Sequence, residues 1–121
     1  MTAPMTDAEV DALADQLLHQ VGEVLDDVPD LWATLQVTRD PLAAFTPIQA
    51  RINLIVAKLN QLRPALDDTT ARKRIAVRTL ERKFGASIPG PAFTDHMIVQ
   101  GAVDLAISTY RWARDRKGAA A

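Results

Sequence analysis

The chain has 121 residues, no cysteine and a formal net charge of −1. That length makes one domain, able to bury roughly two thirds of its unfolded surface without staples. The missing cysteines exclude disulfides, thiolate nucleophiles and cysteine-ligated zinc, a usage that fits a reducing compartment. No run of about 18 apolar residues is present to span a membrane, and Met1 to Thr6 lacks the basic start and apolar core of an export signal.

After a loose leader to Met5, Thr6-Asp7-Ala8-Glu9 spells a capping box, in which Thr6 reaches the amide of Glu9 and Glu9 reaches back. Val10, Leu13, Ala14, Leu17, Leu18, Val21, Val24, Leu25 and Val28 then recur at three- and four-residue steps, so one helix is expected over 7–28. His19 falls opposite that stripe and should be exposed. Pro29 and Asp30 should break the helix, leaving Leu31 to Val37 as a short one whose Trp32 either plugs the end of the bundle or faces a partner.

Leu42 to Phe45 is expected as a connector, because Thr46-Pro47-Ile48-Gln49 carries a second start signal: a capping threonine, proline at the first helical position and glutamine three after the cap. That helix should run over 47–62 with Ile48, Ile52, Ile55, Leu59 and Leu62 in the core and Val56 at the edge, leaving Ala50, Leu54 and Ala57 as an apolar patch on its far side. Asp67-Asp68-Thr69-Thr70 offers caps for a helix over 69–84, stopped by Gly85. Ala76, Val77, Leu80 and Phe84 point one way along it, while Arg74, Arg78 and Arg82, joined by Arg72, Lys73 and Lys83, make a basic face.

Ala86 to Phe93 reads as a proline-stiffened loop, and Thr94 with Asp95 starts a last helix to Lys117, stopped by Gly118. Its apolar face collects Ile98, Ala102, Leu105, Ala106, Thr109, Tyr110 and Ala113, widened by Val99 and Val103, and the other helices are expected to pack around it. The fold class is therefore all-α: a single-domain helical bundle over 1–121, with four main helices at 7–28, 47–62, 69–84 and 95–117, a short one at 31–37, and loose termini at 1–5 and 118–121.

Charge divides unevenly: residues 1–50 hold nine acidic residues against Arg39 alone, and residues 51–121 hold thirteen basic and six acidic. Either the halves neutralise each other within one fold, or copies meet acidic face to basic face in contacts that can close into a ring. The basic helix also admits a nucleic-acid reading with Arg74, Arg78 and Arg82 on phosphates, against which stand the acidic pI and the lack of interleaved aromatics.

Catalytic chemistry is thin. Asp26-Asp27-Val28-Pro29-Asp30 imitates the aspartate-rich motif of helical prenyl-transferring enzymes, but that fold needs more than twice this length and a second facing carboxylate cluster. Glu23 and Asp26 could offer half of a pyrophosphohydrolase magnesium site, yet Asp95, Asp104 and Asp115 do not repeat at the spacing of the other half. His19 and His96 have no i, i+4 partner for a metal, and Gly22 and Gly101 read as close-packing points inside helices. No enzyme activity, catalytic residue, metal ligand, cofactor or small-molecule substrate is expected.

From Asp40 onward the chain resembles the small helical head-tail connector, or adaptor, proteins of tailed bacteriophages. The similarity lies in Phe45-Thr46-Pro47-Ile48-Gln49-Ala50-Arg51-Ile52, in the middle helix that follows, and in the aromatic and arginine-rich close, Ala106-Ile107-Ser108-Thr109-Tyr110-Arg111-Trp112-Ala113-Arg114-Asp115-Arg116. The resemblance implies a structural virion protein assembled in the host cytoplasm, a homo-oligomeric ring between the portal and a tail or stopper protein, with DNA at most passing through the channel. It further implies that the end bearing Arg111, Trp112, Arg114, Arg116 and Lys117 docks on the portal. The alternative from another class is a small antitoxin-like regulatory or inhibitor protein that binds a protein partner. Because Ala50, Leu54, Ala57, Ile75, Met97 and Trp112 lie off or at the margin of their core stripes, they are expected to line the partner interface together with Arg74, Arg78, Arg82 and the basic end.

Overall fold

The computed structural model describes residues 5–64, 66, 68–84 and 97–120, with the side chains of 97, 98 and 114–120 left outside the description. Among these residues the chain is all-α. The helices are α1 (Asp7–Val21), α2 (Val28–Val37), α3 (Pro41–Leu62), α4 (Thr69–Phe84) and α5 (Met97–Ala120), with a turn of 3₁₀ helix at Val24–Asp27. The expected stop at Gly85, the loop 86–93 and the caps Thr94 and Asp95 lie outside the described residues.

α1 starts as its sequence dictates. The Thr6 hydroxyl accepts from the Glu9 amide at 3.2 Å, and the Glu9 carboxylate accepts from the Thr6 amide at 3.3 Å. The residue before the cap is tied down too, since Met5 packs on the core and its carbonyl accepts from Arg74 Nη1 at 2.8 Å, so the expected loose leader ends before it.

The expected single helix over 7–28 is instead broken after Val21. The chain turns at Gly22, tightens into the 3₁₀ turn and re-forms α2, in which Pro29 sits in the first turn, where its missing amide costs nothing. Pro29 thus belongs to a helix start rather than a helix end. The apolar repeat continued through the bend because Leu25 and Val28 are buried on the same core, whereas Val24 is 47% exposed. Trp32 joins that core at 9% exposure, which settles its two readings in favour of the plug.

α3 begins six residues earlier than expected, at Pro41. Asp40 Oδ1 accepts from the Ala43 amide at 3.2 Å, and Pro41 takes the first-turn position, so the true start signal is Asp40-Pro41 rather than Thr46-Pro47. Leu42 to Phe45 is helical, Thr46 turns its hydroxyl back to the Leu42 carbonyl, and Pro47 lies inside the helix. An internal proline costs about 3 kcal/mol. Phe45 packed on the core and Ile48 buried on it hold the helix together on either side.

The stripe of α3 is otherwise as read: Ile48, Ile52, Ile55, Val56 and Leu59 are each at most 1% exposed. This helix, not the last one, is the central element, packing against α1, α2, α4 and α5. α5 packs against α3 and α4, but its buried face is Val99, Ala102, Val103, Ala106 and Ile107. On a wheel that face is turned by about 60° from the expected one. Leu105 therefore points out at 56% exposure, with Thr109 and Ala113 beside it, and the helix runs through Gly118 to Ala120. Alanines are the strongest helix formers, and one glycine costs about 1 kcal/mol, which Ala119 and Ala120 help to offset.

Gly101 is exposed, and a side chain there would meet nothing within 4 Å, so it is not the close-packing point expected of it. Asn60 departs from the apolar pattern in the other direction. It is 5% exposed, and neither its amide nitrogen nor its oxygen has a hydrogen-bond partner.

These placements give three predictions. Ala106, 4% exposed in the middle of the α5 face, leaves no room or partner for a carboxylate, so Ala106→Glu should abolish cooperative unfolding in a circular-dichroism melt. His19→Ala, on the exposed side of α1, should shift stability by less than about 0.5 kcal/mol in the same assay. Asn60→Leu keeps the branched shape of the side chain and removes an unmet polar group whose burial costs about 1–3 kcal/mol, so it should raise the melting temperature by a few degrees. A lower melting temperature for Asn60→Leu would show that the amide is satisfied in solution.

Candidate functional site: an uncharged side and a charged side

The charge imbalance of the sequence is resolved inside the fold. Aspartates four residues apart on α1 face arginines four residues apart on α4: Arg74 meets Asp7 at 2.9 Å, Arg78 meets Asp11 at 2.6 Å and Arg82 meets Asp15 at 2.6 Å. Equal steps on both helices require α1 and α4 to run parallel, and Lys83 extends the ladder to Asp26 beside the 3₁₀ turn at 2.6 Å. Glu81 braces Arg78 at 3.3 Å from its own helix. A cleft of about 330 Å³ lies along this seam, lined by Asp7, Val10, Asp11, Arg74, Val77, Arg78 and Glu81. Its charges already have partners, so neutralisation within one chain is the outcome of the two readings of the imbalance.

The hydrogen bond from Arg78 holds the Asp11 carboxyl below its ordinary range, with the nearby charges of Arg78 and Arg82 adding to the effect against some desolvation. Arg51 does the same for Asp27 through a two-pronged contact, Nε to Oδ1 at 2.8 Å and Nη2 to Oδ2 at 2.5 Å, which fastens the junction of α1 and α2 to α3. The arginine partners are displaced upward for the same reason.

Several expected interface residues are therefore occupied elsewhere. Arg74, Arg78 and Arg82 are committed to α1. Ile75 is fully buried, because the core face of α4 keeps the expected Ala76, Leu80 and Phe84 but extends to Ala71, Arg72, Ile75 and Thr79 on the other side, with Val77 only half-buried. Leu54 is packed against the core rather than standing clear of it. Arg111 is half-buried and donates to the Thr69 hydroxyl. The side chains of Met97, Arg114, Arg116 and Lys117 lie outside the described residues.

Arg72 was read as part of the basic face, but it is 1% exposed. Its Nε donates to the Leu66 carbonyl at 2.6 Å and its guanidinium lies over the Tyr110 ring at 5.3 Å, so it ties the α3–α4 connection to α5. Its spacing of three, four and seven residues from Ile75, Ala76 and Thr79 is the signal that places it on the core side.

What remains of the expected interface is the opposite side of the molecule, where α3 and α5 lie together and Gln49 Nε2 donates to the Ala102 carbonyl at 3.0 Å. The exposed residues of α3 are Pro41, Leu42, Ala43, Thr46, Ala50, Asn53, Ala57 and Gln61. None carries a charge. On α5 the described exposed residues are Gly101, Asp104, Leu105, Ser108, Thr109, Trp112 and Ala113, and the one charge among them, Asp104, is paired with Lys73 at 3.0 Å. On α5 two stand out by size and exposure, Leu105 at 56% and Trp112 at 61%, and Leu42 at the start of α3 is exposed as well. Wheel positions put Asn53 and Ala57 on one lip of the α3–α5 seam and Leu105 and Thr109 on the other. Small residues at Ala50, Ala57, Gly101 and Ser108 would let a partner's backbone come close, and the two large side chains supply apolar area, the combination found at the centre of protein interfaces.

Among the described residues no three of the types His, Asp or Glu gather as metal ligands, and no helix is long and apolar enough to cross a membrane. What this surface offers chemically is apolar area at Leu105 and Trp112, with no unpaired charge among its described exposed residues.

The depressed carboxyls set the acid behaviour. A group whose folded pKa lies below its unfolded one adds stability above the unfolded value and loses it as pH falls through the folded one. Asp11 and Asp27 should thus leave the melting temperature unaffected from pH 9 to about 5 and lower it below about pH 4, with Asp27→Asn and Asp11→Asn together flattening that fall. No family model matches the chain, and no curated protein or solved structure is significantly similar to it.

Proposed function

We propose that this chain is a structural docking protein, a head-tail connector whose copies form a ring between a phage portal and its tail or stopper protein. The observation that carries the reading is the uncharged side built by α3 and α5. In a chain that is 24% charged residues, a surface two helices wide whose one described charge is already paired is unusual for a face that meets only water. Covering it would remove Leu105 and Trp112 from water without desolvating an unpaired ion.

The resemblance of Phe45 to Ile52 and of Ala106 to Arg116 to the connector family supplies the kind of partner. In this reading the chain's work is mechanical: the ring continues the channel under the portal, DNA at most passes through it, and no bond is made or broken. The α1–α4 ladder keeps its charges for holding the subunit together, and the α3–α5 side is the docking surface. Leu105 takes the place that Leu54 was expected to have.

The test is the mass of the protein mixed with isolated portal rings, by light scattering and electron microscopy. The parent chain should bind as a ring, and Leu105→Asp and Trp112→Ala should keep the parent's helical signal while binding at least about tenfold more weakly. If both variants bound like the parent, the uncharged side would not be the docking surface. A protein that stayed monomeric or dimeric and ignored the portal would instead fit the small regulatory class.

A further inference from the structure

We infer that in the free protein the docking surface is covered by a second copy of the chain, the exposed stripe of α5 lying antiparallel on the same stripe of its partner across a two-fold axis. This rests on the reading of the α3–α5 side as a docking surface and names what covers it away from the portal.

The first observation is spacing. Gly101, Leu105, Ser108 and Trp112 are exposed and stand at steps of four, three and four, the repeat with which a straight seam on one helix meets another helix in a left-handed pair. The core face of α5 is already spent on α3 and α4, so this stripe is a second face of the same helix, carrying Leu105 at 56% and Trp112 at 61% exposure.

The second observation is the order of sizes along the stripe, which runs small, large, small, large. Laid antiparallel on its own copy, it sets Gly101 against the partner's Trp112 and Leu105 against the partner's Ser108. Every large side chain then meets a small one. A parallel pair would stack tryptophan on tryptophan and leave a void between the glycines, so the sequence of sizes fits one orientation and one kind of partner, the stripe itself.

Gly101 supports this independently. Glycine inside a helix destabilises it relative to alanine, and a Cβ at 101 would meet nothing within 4 Å, so no contact within its own chain asks for glycine there. An indole laid on the bare backbone does ask for it. The flanks agree as well. Asp104 and Arg111 lie seven residues apart on the outer flank, and the antiparallel pair sets each across from the opposite charge of the other copy, while Asp104 keeps Lys73 at 3.0 Å. Such exposed pairs fix direction more than they add affinity. The inner flank is the lip of α3 at Asn53 and Ala57, which carries no charge. From Gly101 to Trp112 the seam is about 17 Å long, so the pair is weak and can be exchanged for a larger partner.

The test measures mass by sedimentation equilibrium across a concentration series, with the helical signal followed by circular dichroism. The parent chain should form dimers. Gly101→Trp adds apolar area to the same surface yet sets tryptophan against tryptophan at both ends of the seam, and it should weaken the dimer at least about tenfold with the helical signal unchanged. Adding Trp112→Ala to that variant reverses the pattern of sizes and should recover most of the loss. Ser108→Trp, rescued by Leu105→Ala, repeats the test in the inner layer and decides alone should Gly101→Trp lose its helical signal. A parent chain that is monomeric at about 1 mM overturns the pairing, as does a dimer that the tryptophan substitutions leave intact. A dimer that they weaken and the second substitutions do not rescue overturns the antiparallel arrangement. Adding portal rings separates this inference from the reading it rests on. A monomeric parent that binds the portal overturns the pairing and leaves the connector reading standing, and a dimer that ignores the portal does the reverse.

Discussion

Ile48, Ile52, Ile55, Val56 and Leu59 are each at most 1% exposed, so the ridge they form on α3 has to be covered from every side that α3 does not itself shield. α1, α2, α4 and α5 all pack on that helix, and each contributes apolar residues to the one core cluster it centres. Full burial of a side chain of this size is worth about 1.5–3 kcal/mol, far more than any contact on the surface of this domain. The position of every other helix is set by the need to reach this ridge, and the charges are then arranged on what is left.

What is left divides sharply. Parallel α1 and α4 place Asp7, Asp11 and Asp15 opposite Arg74, Arg78 and Arg82, and exposed pairs of this kind add little stability each. Their effect is on register: a slip of one turn would leave an arginine at one end and an aspartate at the other without its partner. With so many of the charges drawn to the α1–α4 seam, the described exposed residues of the α3–α5 side hold no charge but the paired Asp104. The same allocation explains a chain that is acidic in its first half and basic in its second yet close to neutral as a whole.

Helix existence was legible because it depends on local rules. The Thr6–Glu9 capping box and the apolar repeats of α1, α3 and α4 are visible without any knowledge of neighbours, and Leu17, Val21, Ile52, Ile55, Leu80, Ala102 and Ala106 are buried as the repeats require. Phase on the later helices was not legible, because Leu105 and Ile107 are equally apolar and only the position of α3 and α4 decides which of them faces inward. The same ambiguity hid Arg72 and Ile75 on the core side of α4. Two prolines misled in opposite directions: Pro29 was read as ending a helix that it starts, and Pro47 as starting one that it interrupts. Of the expected interface, Ala50, Ala57 and Trp112 are on the exposed surface, while Arg74, Arg78, Arg82 and Ile75 are taken up by the fold, since nothing in one helix's sequence says which other helix will meet it.

Among the described residues, the places where this chain breaks local rules are few. Gly22 sits where a Cβ would come within 2.5 Å of the Leu18 carbonyl oxygen, Pro47 gives up a backbone hydrogen bond within α3, and Asn60 buries an amide without partners. Pro47 and Asn60 each cost stability, which separates them from the ladder and the core, where sequence and fold agree. Gly22 and Pro47 lie on the two elements fastened to each other by Arg51, whose own carbonyl contact is with Pro47 at 2.9 Å and whose guanidinium grips Asp27 at the bend. One side chain thus fastens the junction after α1 to the turn of α3 that carries Pro47, and the break in the first helix is held where the central ridge needs it.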